Sequence, residues 1–194
     1  MTSGAGDTRS MRERMEAGDL YIADDPELAE ASARALDLAA AYNATSVRQA
    51  PLRRALLEQL LGSVGEGTEL RPPLHVDYGS NITIGARSFA NFGLVALDVA
   101  PITIGDDVQI GPNVQLLTPT HPLEPGPRRE KWEAAQPIRI GDNVWLGGGV
   151  IVLPGVTIGA NTVVGAGAVV TKDLPADVVA VGNPARVVRN LDAS

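Results

Sequence analysis

The chain holds 194 residues, enough for one domain with a sizeable core and an added arm but too few for two full-sized enzyme domains. Lys and Arg number 16 against 23 for Asp and Glu, and the net charge of -7 argues against any general attraction to nucleic acid or anionic lipid. Cysteine is absent and the only histidines are His75 and His121, which excludes disulfides, thiolate zinc sites, a cysteine nucleophile and a three-histidine metal site within one chain.

The first residues lack the basic-then-apolar order of a signal peptide, so 1–10 are expected as a disordered tail and the protein as cytoplasmic. Asp25-Pro26-Glu27 then supplies an acidic cap and an early proline for a helix over 28–42. Asn43-Ala44-Thr45 interrupts it, and 47–61 repeats helical spacing through Leu52, Leu56, Leu57, Leu60 and Leu61 before Gly62. Together 11–64 are expected as an N-terminal α-helical arm.

Past Gly65 the period changes. Every sixth residue from Ile140 is aliphatic, namely Ile140, Leu146, Val152, Ile158, Val164 and Val170, and most are followed by glycine. Ile104, Ile110 and Leu116 share that phase, while Ile84-Gly85 begins a group displaced by two residues. A six-residue period is neither helical nor that of a lone strand, so the aliphatic residue must return to the interior once per short flat side of a solenoid, three sides to a coil. The stretch 143–171 carries no charge and is long enough to span a bilayer, yet its many glycines make a membrane helix untenable. The repeats are expected over 65–186, with a tail at 187–194. Prolines and the charged run Arg128-Arg129-Glu130-Lys131 break the phase over 122–137, which reads as an extruded loop leaving directly after His121.

With these motifs in hand, the chain resembles the hexapeptide-repeat acetyltransferases, and within them the maltose and galactoside O-acetyltransferase branch. The likeness rests on Met15-Glu16-Ala17-Gly18-Asp19-Leu20-Tyr21, Asp77-Tyr78-Gly79-Ser80-Asn81-Ile82, Phe89-Ala90-Asn91-Phe92, Leu97-Asp98, Thr120-His121-Pro122, Ile140-Gly141-Asp142-Asn143-Val144-Trp145-Leu146-Gly147 and Gly182-Asn183-Pro184-Ala185-Arg186. Asp77 before Tyr-Gly and Phe89 before Ala-Asn lean toward the maltose-like side. The resemblance implies a mainly β fold, a left-handed parallel β-helix, and a homotrimer with sites between subunits. It also implies acetyl-CoA as donor, a sugar or sugar-like hydroxyl as acceptor, and no metal.

An alcohol needs a base to attack a thioester near neutral pH, and His121 matches the family's catalytic histidine, with direct transfer and no acyl-enzyme; a histidine bonded to loop backbone is the bland alternative. Asn91 matches an oxyanion donor or else belongs to a corner ladder. Glu133 matches a loop glutamate that orients His121 or the acceptor. Asp77 and Phe89 match lining residues of the acceptor pocket, Asp98 either meets sugar hydroxyls or caps a turn, and Asp25, or Asp24 beside it, reaches the sugar from the arm. For the cofactor the family places Gly148, Ala166 and Thr171 beside the pantetheine, while Lys172, Arg186 and Arg189 supply the cations its phosphates need in an acidic chain. Trp145 touches either the cofactor or a neighbouring subunit, and His75 is structural. The competing readings are an acetyltransferase of an antibiotic or secondary-metabolite alcohol, a carbonic anhydrase short of histidines, and a non-catalytic trimeric scaffold.

Overall fold

A computed structural model of the protein describes residues 7–191. Three helices form the arm: α1 (Met11–Glu16), α2 (Pro26–Asn43) and α3 (Ala50–Leu60). Ser10 and Glu13 close a capping box on α1, and Asp25 caps α2, whose first residue is Pro26. Of the tail expected at 1–10, residues 1–6 lie outside the described residues, whereas Asp7 pairs with Arg9 at 2.7 Å and Ser10 is a helix cap. Helix α2 buries Leu28, Ala35, Ala39 and Tyr42, one stripe at helical spacing, and three of these join Leu57 and Leu60 of α3 on the end of the β core.

That core is a parallel β-solenoid with three faces. The first stacks Val64, Ile84, Ile104, Ile140 and Ile158. The second stacks Leu70, Ala90, Ile110, Leu146, Val164 and Ala180. The third stacks Val76, Ala96, Leu116, Val152 and Val170. Every one of these side chains is buried, each large one contributing about 2 kcal/mol of transfer free energy. Glycine after the inward residue lets successive coils touch: a Cβ built on Gly147 would lie 2.5 Å from the amide nitrogen of Ala166 in the next coil. The uncharged stretch 143–171 is thus a run of short strands, and no helix among the described residues is long and apolar enough to cross a membrane.

The first coil has no coil below it, and the arm satisfies its open edge with side chains. On the second face, Arg53 donates to the Leu70 carbonyl at 2.6 Å and Tyr42 donates its hydroxyl to the same oxygen. On the third, the Asn43 amide both donates to Leu74 O (2.9 Å) and accepts from Leu74 N (2.8 Å), as a neighbouring strand would. On the first, Arg54 donates to the carbonyls of Val64 and Gly65 at 2.7 and 2.8 Å. Each face of the triangle therefore has its own polar cap. Arg53 is only 7% exposed, and its guanidinium lies against the Tyr42 ring.

At the other end the expected tail at 187–194 is not a tail as far as it is described. Arg186–Asn190 forms a strand that turns back antiparallel on Val178–Val181, giving the last second-face strand a partner once the six-residue pattern has run out.

The two-residue slip at Ile84 has a spatial meaning. The coils from Val64 to Ile84 and from Ile84 to Ile104 each carry two residues more than the coil from Ile140 to Ile158, and the 122–137 loop lies within the coil before Ile140. All three insertions leave from the same corner, between the third and first faces: at 77–81, at 97–101 and at 118–137.

Candidate active site

The corner with the insertions builds a pocket of about 270 Å³. Pro119–Thr120 pairs antiparallel with Ala134–Ala135, making a stalk for the loop, and His121 follows at once on the first strand of that stalk. Glu133 precedes the second strand and is clamped to the arm: Tyr21 N donates to Glu133 O and Glu133 N to Tyr21 O, both at 2.9 Å. Within the loop, helix α4 (Pro125–Arg129) brings Arg128 back to the carbonyls of Pro122 and Leu123 at 2.9 and 2.8 Å, fixing the chain just past His121. Trp132 stacks under the Arg14 guanidinium at 5.3 Å, a second tie from loop to arm. Met15, Tyr21, Leu28 and Val99 form a small separate core beneath these ties.

Asp77, His121, Glu133, Tyr21 and Tyr78 line this pocket. Two of the residues expected in it have other employment. Asp98 is fully buried, and its carboxylate accepts the backbone amides of Asp77 (3.0 Å), Tyr78 (2.9 Å) and Asn81 (3.1 Å). It thereby holds the turn that presents Asp77, the turn-capping alternative read from the sequence. Asp25 is the cap of α2, accepting from Glu27 N at 2.9 Å and Arg12 N at 3.3 Å, and it does not line the pocket; Tyr21 and Ala23 come from the arm instead.

The carboxylates here have little to offset them. Burial pushes the Asp77 carboxyl up to about 6, and the charges of Asp98 and Glu133 add to it. Tyr78 is pushed up to about 12 by burial and then by Asp77 and Glu133, and Tyr21 is raised by burial and then by Glu133. Because the folded state binds the Asp77 proton more tightly than the unfolded chain does, stability falls as pH rises from about 4 to 6 and stays lower above that. Asp77→Asn is therefore expected to be more stable than the parent at pH 7.5 by about 1–2 kcal/mol, the value for a partly exposed group, with the gain gone near pH 4. Paired thermal melts across that range check it, and a gain independent of pH would refute it.

The remaining expected residues lie elsewhere. Phe89 faces outward on the second face with Arg71 5.1 Å from its ring, and Asn91 follows at the corner between the second and third faces. Gly148 and Ala166 stack along that same corner, which is poor in side chains because Gly111, Gly147 and Gly165 let successive coils pack closely there. Thr171 and Lys172 are exposed at the insertion corner, while Arg186 and Arg189 are exposed on the terminal strand. Among the described residues none of these three cations makes a salt bridge, and no group of acidic or histidine side chains comes together to hold a metal. One chain therefore gathers Asp77, His121 and Glu133 at one corner and Asn91, Gly148 and Ala166 at another, with the whole third face between them. Tyr21, Tyr78 and Arg128 were missed in the sequence, although Tyr21 and Tyr78 stand inside motifs that had been singled out.

Residues 14–65 match the maltose acetyltransferase hexapeptide capping motif, and 137–172 match the bacterial transferase hexapeptide with six repeats. The galactoside O-acetyltransferase of Escherichia coli (strain K12) is 42% identical over 182 residues, covering 94% of this chain and 90% of the relative. Among solved structures, a maltose O-acetyltransferase from Clostridium difficile 630 superposes with a TM-score of 0.94 at 43% identity, covering 96% of this chain and 100% of that one. A galactoside acetyltransferase in complex with coenzyme A gives 0.92 at 41% identity, over 95% and 92%.

Proposed function

Since the chain belongs to the hexapeptide-repeat O-acetyltransferase family of the maltose and galactoside enzymes, we propose that His121 is the general base of a direct acetyl transfer from acetyl-CoA to a sugar hydroxyl. The protein is an acetyl-CoA-dependent acetyltransferase, and sugar O-acetylation is its reaction class. The observation that carries the assignment of His121 is its place in the pocket with Asp77 and Glu133, at the one corner where every insertion of the solenoid emerges.

In this reading the acceptor hydroxyl gives its proton to His121 as its oxygen bonds to the acetyl carbonyl carbon. The thioester C–S bond breaks and coenzyme A leaves as the thiol. Glu133, fixed by the Tyr21 clamp, and Asp77, fixed by Asp98, orient the acceptor. Asn91 donates to the oxyanion, and the cofactor runs along the side-chain-poor corner past Gly148 and Ala166, with Thr171, Lys172, Arg186 and Arg189 toward its phosphates.

These roles require a second copy of the chain, because the two corners cannot meet within one. Two outer faces suit such packing. The third presents His75, Val95, Gln115, Ile151 and Val169 in one row, and the second presents Glu69, Phe89, Gln109, Trp145, Val163 and Val179, with Trp145 55% exposed. The first face instead presents Ser63, Thr83, Thr103, Arg139 and Thr157. A homotrimer with one site per interface is the assembly that the family resemblance implies and that these two faces would build. Light scattering at micromolar concentration is expected to give three times the chain mass, and a monomer would sink the assembly. Free-thiol release from acetyl-CoA over a panel of sugars tests the chemistry; acceptor-independent release alone would count against it. The presence of His121 together with the exposed cations Lys172, Arg186 and Arg189 disfavours a purely structural scaffold.

A further inference from the structure

The corner between the second and third faces carries a cation with no anion to meet. Arg71 N donates to Ala90 O at 2.9 Å, so Arg71 stacks beside Asn91, one coil earlier. Among the described residues its guanidinium makes no salt bridge. It rests instead against two aromatic rings, 5.1 Å from the centroid of Phe89 and 5.2 Å from that of Phe92, residues that stand two places before Asn91 and one place after it. Phe92 is 52% exposed, and a ring so placed changes rotamer freely unless something holds it. The backbone beneath is already tied to the coils on both sides: Phe92 O accepts from Asn113 N at 2.8 Å, and Gly93 N donates to Pro73 O at 3.1 Å. That backbone settles which end of the Asn91 carboxamide is occupied, because Phe92 N donates to Asn91 Oδ1 at 2.9 Å and leaves the Nδ2 hydrogens to donate outward. It leaves open the sideways swing of the side chain, and the two rings nearest to it in the chain are the ones Arg71 joins.

We propose that Arg71 is a positioning residue for Asn91: by bridging the Phe89 and Phe92 rings with one planar cation it holds them as two walls, and the walls keep the Asn91 amide aimed at the acetyl carbonyl oxygen. The inference rests on the reading of Asn91 as the oxyanion donor and adds the device that fixes that donor. As the acceptor oxygen bonds to the acetyl carbon, the carbonyl oxygen takes up negative charge, and a donor already in place stabilises that charge without having to be reoriented. A donor free to swing is off the mark part of the time, and a misplacement of about 1 Å removes most of its effect. Arginine suits the bridge because a guanidinium is flat, stays charged and stacks on ring faces, whereas a lysine ammonium is a compact point charge on a flexible stem. With no carboxylate to draw it away, the guanidinium stays on the rings.

The test measures thiol release from acetyl-CoA, with maltose and methyl galactoside as acceptors, for Arg71→Gln, Arg71→Lys, Asn91→Ala and the double variant Arg71→Gln/Asn91→Ala, each first matched to the parent in mass by light scattering. Arg71→Gln is expected to lower kcat about tenfold while KM for acetyl-CoA stays within about twofold, and Asn91→Ala to lower kcat about 100-fold. Arg71→Lys, which keeps the charge without the plane, should lose about threefold. The double variant should lose no more than Asn91→Ala alone, because without the Asn91 amide there is nothing left for Arg71 to aim. Losses that multiply in the double variant, an unchanged kcat in Arg71→Gln, or an effect confined to KM would each overturn the proposal. If Asn91→Ala keeps the parent's turnover, or neither sugar releases thiol, the oxyanion or acetyl-transfer reading is what fails. A crystal structure of Arg71→Gln then decides the positioning alone: a swung Phe92 ring with a displaced Asn91 carboxamide supports it, and unmoved side chains overturn it.

Discussion

Replacing His121 by alanine is expected to lower turnover at least about 100-fold while acetyl-CoA binds within about twofold of the parent. The loss follows from removing the group that takes the hydroxyl proton as the thioester is attacked. The cofactor should be indifferent, because Gly148 and Ala166 lie along another corner, Arg186 and Arg189 on the last strand, and Thr171 and Lys172, though at the insertion corner, two coils beyond the stalk that carries His121. Thiol-release kinetics beside calorimetry read both halves. A variant that keeps most of its turnover on its best acceptor would remove His121 from the role of base.

The second large effect concerns the fold. Gly147→Ala is expected to destabilise the protein by about 3 kcal/mol or more, since its Cβ would stand 2.5 Å from the nitrogen and 2.9 Å from the Cα of Ala166, backbone atoms of the next coil that cannot rotate away. Gly167 is the control. It occupies the same corner with a φ of +72° and open space where a Cβ would go, so Gly167→Ala meets only the backbone preference, about 1 kcal/mol. For a domain of this size the first change should lower Tm by roughly 10 °C and the second by only a few degrees. Equal losses in thermal melts would mean that coil spacing is not what the glycines protect.

The solenoid was legible because its signal is one-dimensional: a residue that must face inward every six positions leaves a mark in the sequence whatever surrounds it. Ile140, Leu146, Val152, Ile158, Val164 and Val170 all point inward as that mark requires. Helix α1 escaped notice even though Ser10 and Glu13 write a capping box, because six residues are too few to display a period. The strand Arg186–Asn190 escaped for a related reason: it pairs antiparallel and alternates with no buried side chain to betray it.

The site was legible as residue types but not as a place. A carboxylate reads the same whether it faces water or three backbone amides, so nothing in the sequence separates Asp98, which holds a turn, from Asp77, which lines the pocket. Asp25 likewise serves its own helix first, a local role that an aspartate before proline always offers. The slip of two residues before Ile84 was visible, yet only the stacking reveals that this insertion, the next one and the long loop emerge from one corner. Tyr21 reaches the pocket through a backbone clamp to Glu133, 112 positions away in the chain, a pairing without any local signal.

The three polar caps that the arm lays on the first coil also govern how copies of this protein can meet. A stack of parallel strands with a fixed repeat is a template for its own extension, and an uncapped first coil would accept the last coil of another molecule in register, molecule after molecule. Asn43, Arg53 with Tyr42, and Arg54 occupy the very carbonyls and amide that such a newcomer would need. At the far end the growing edge is a reversed strand studded with Arg186 and Arg189, wrong in direction and charged. Growth along the solenoid axis is thereby opposed at the first coil on all three faces and at the last on the second face, which favours sideways packing through the faces as the route to self-association.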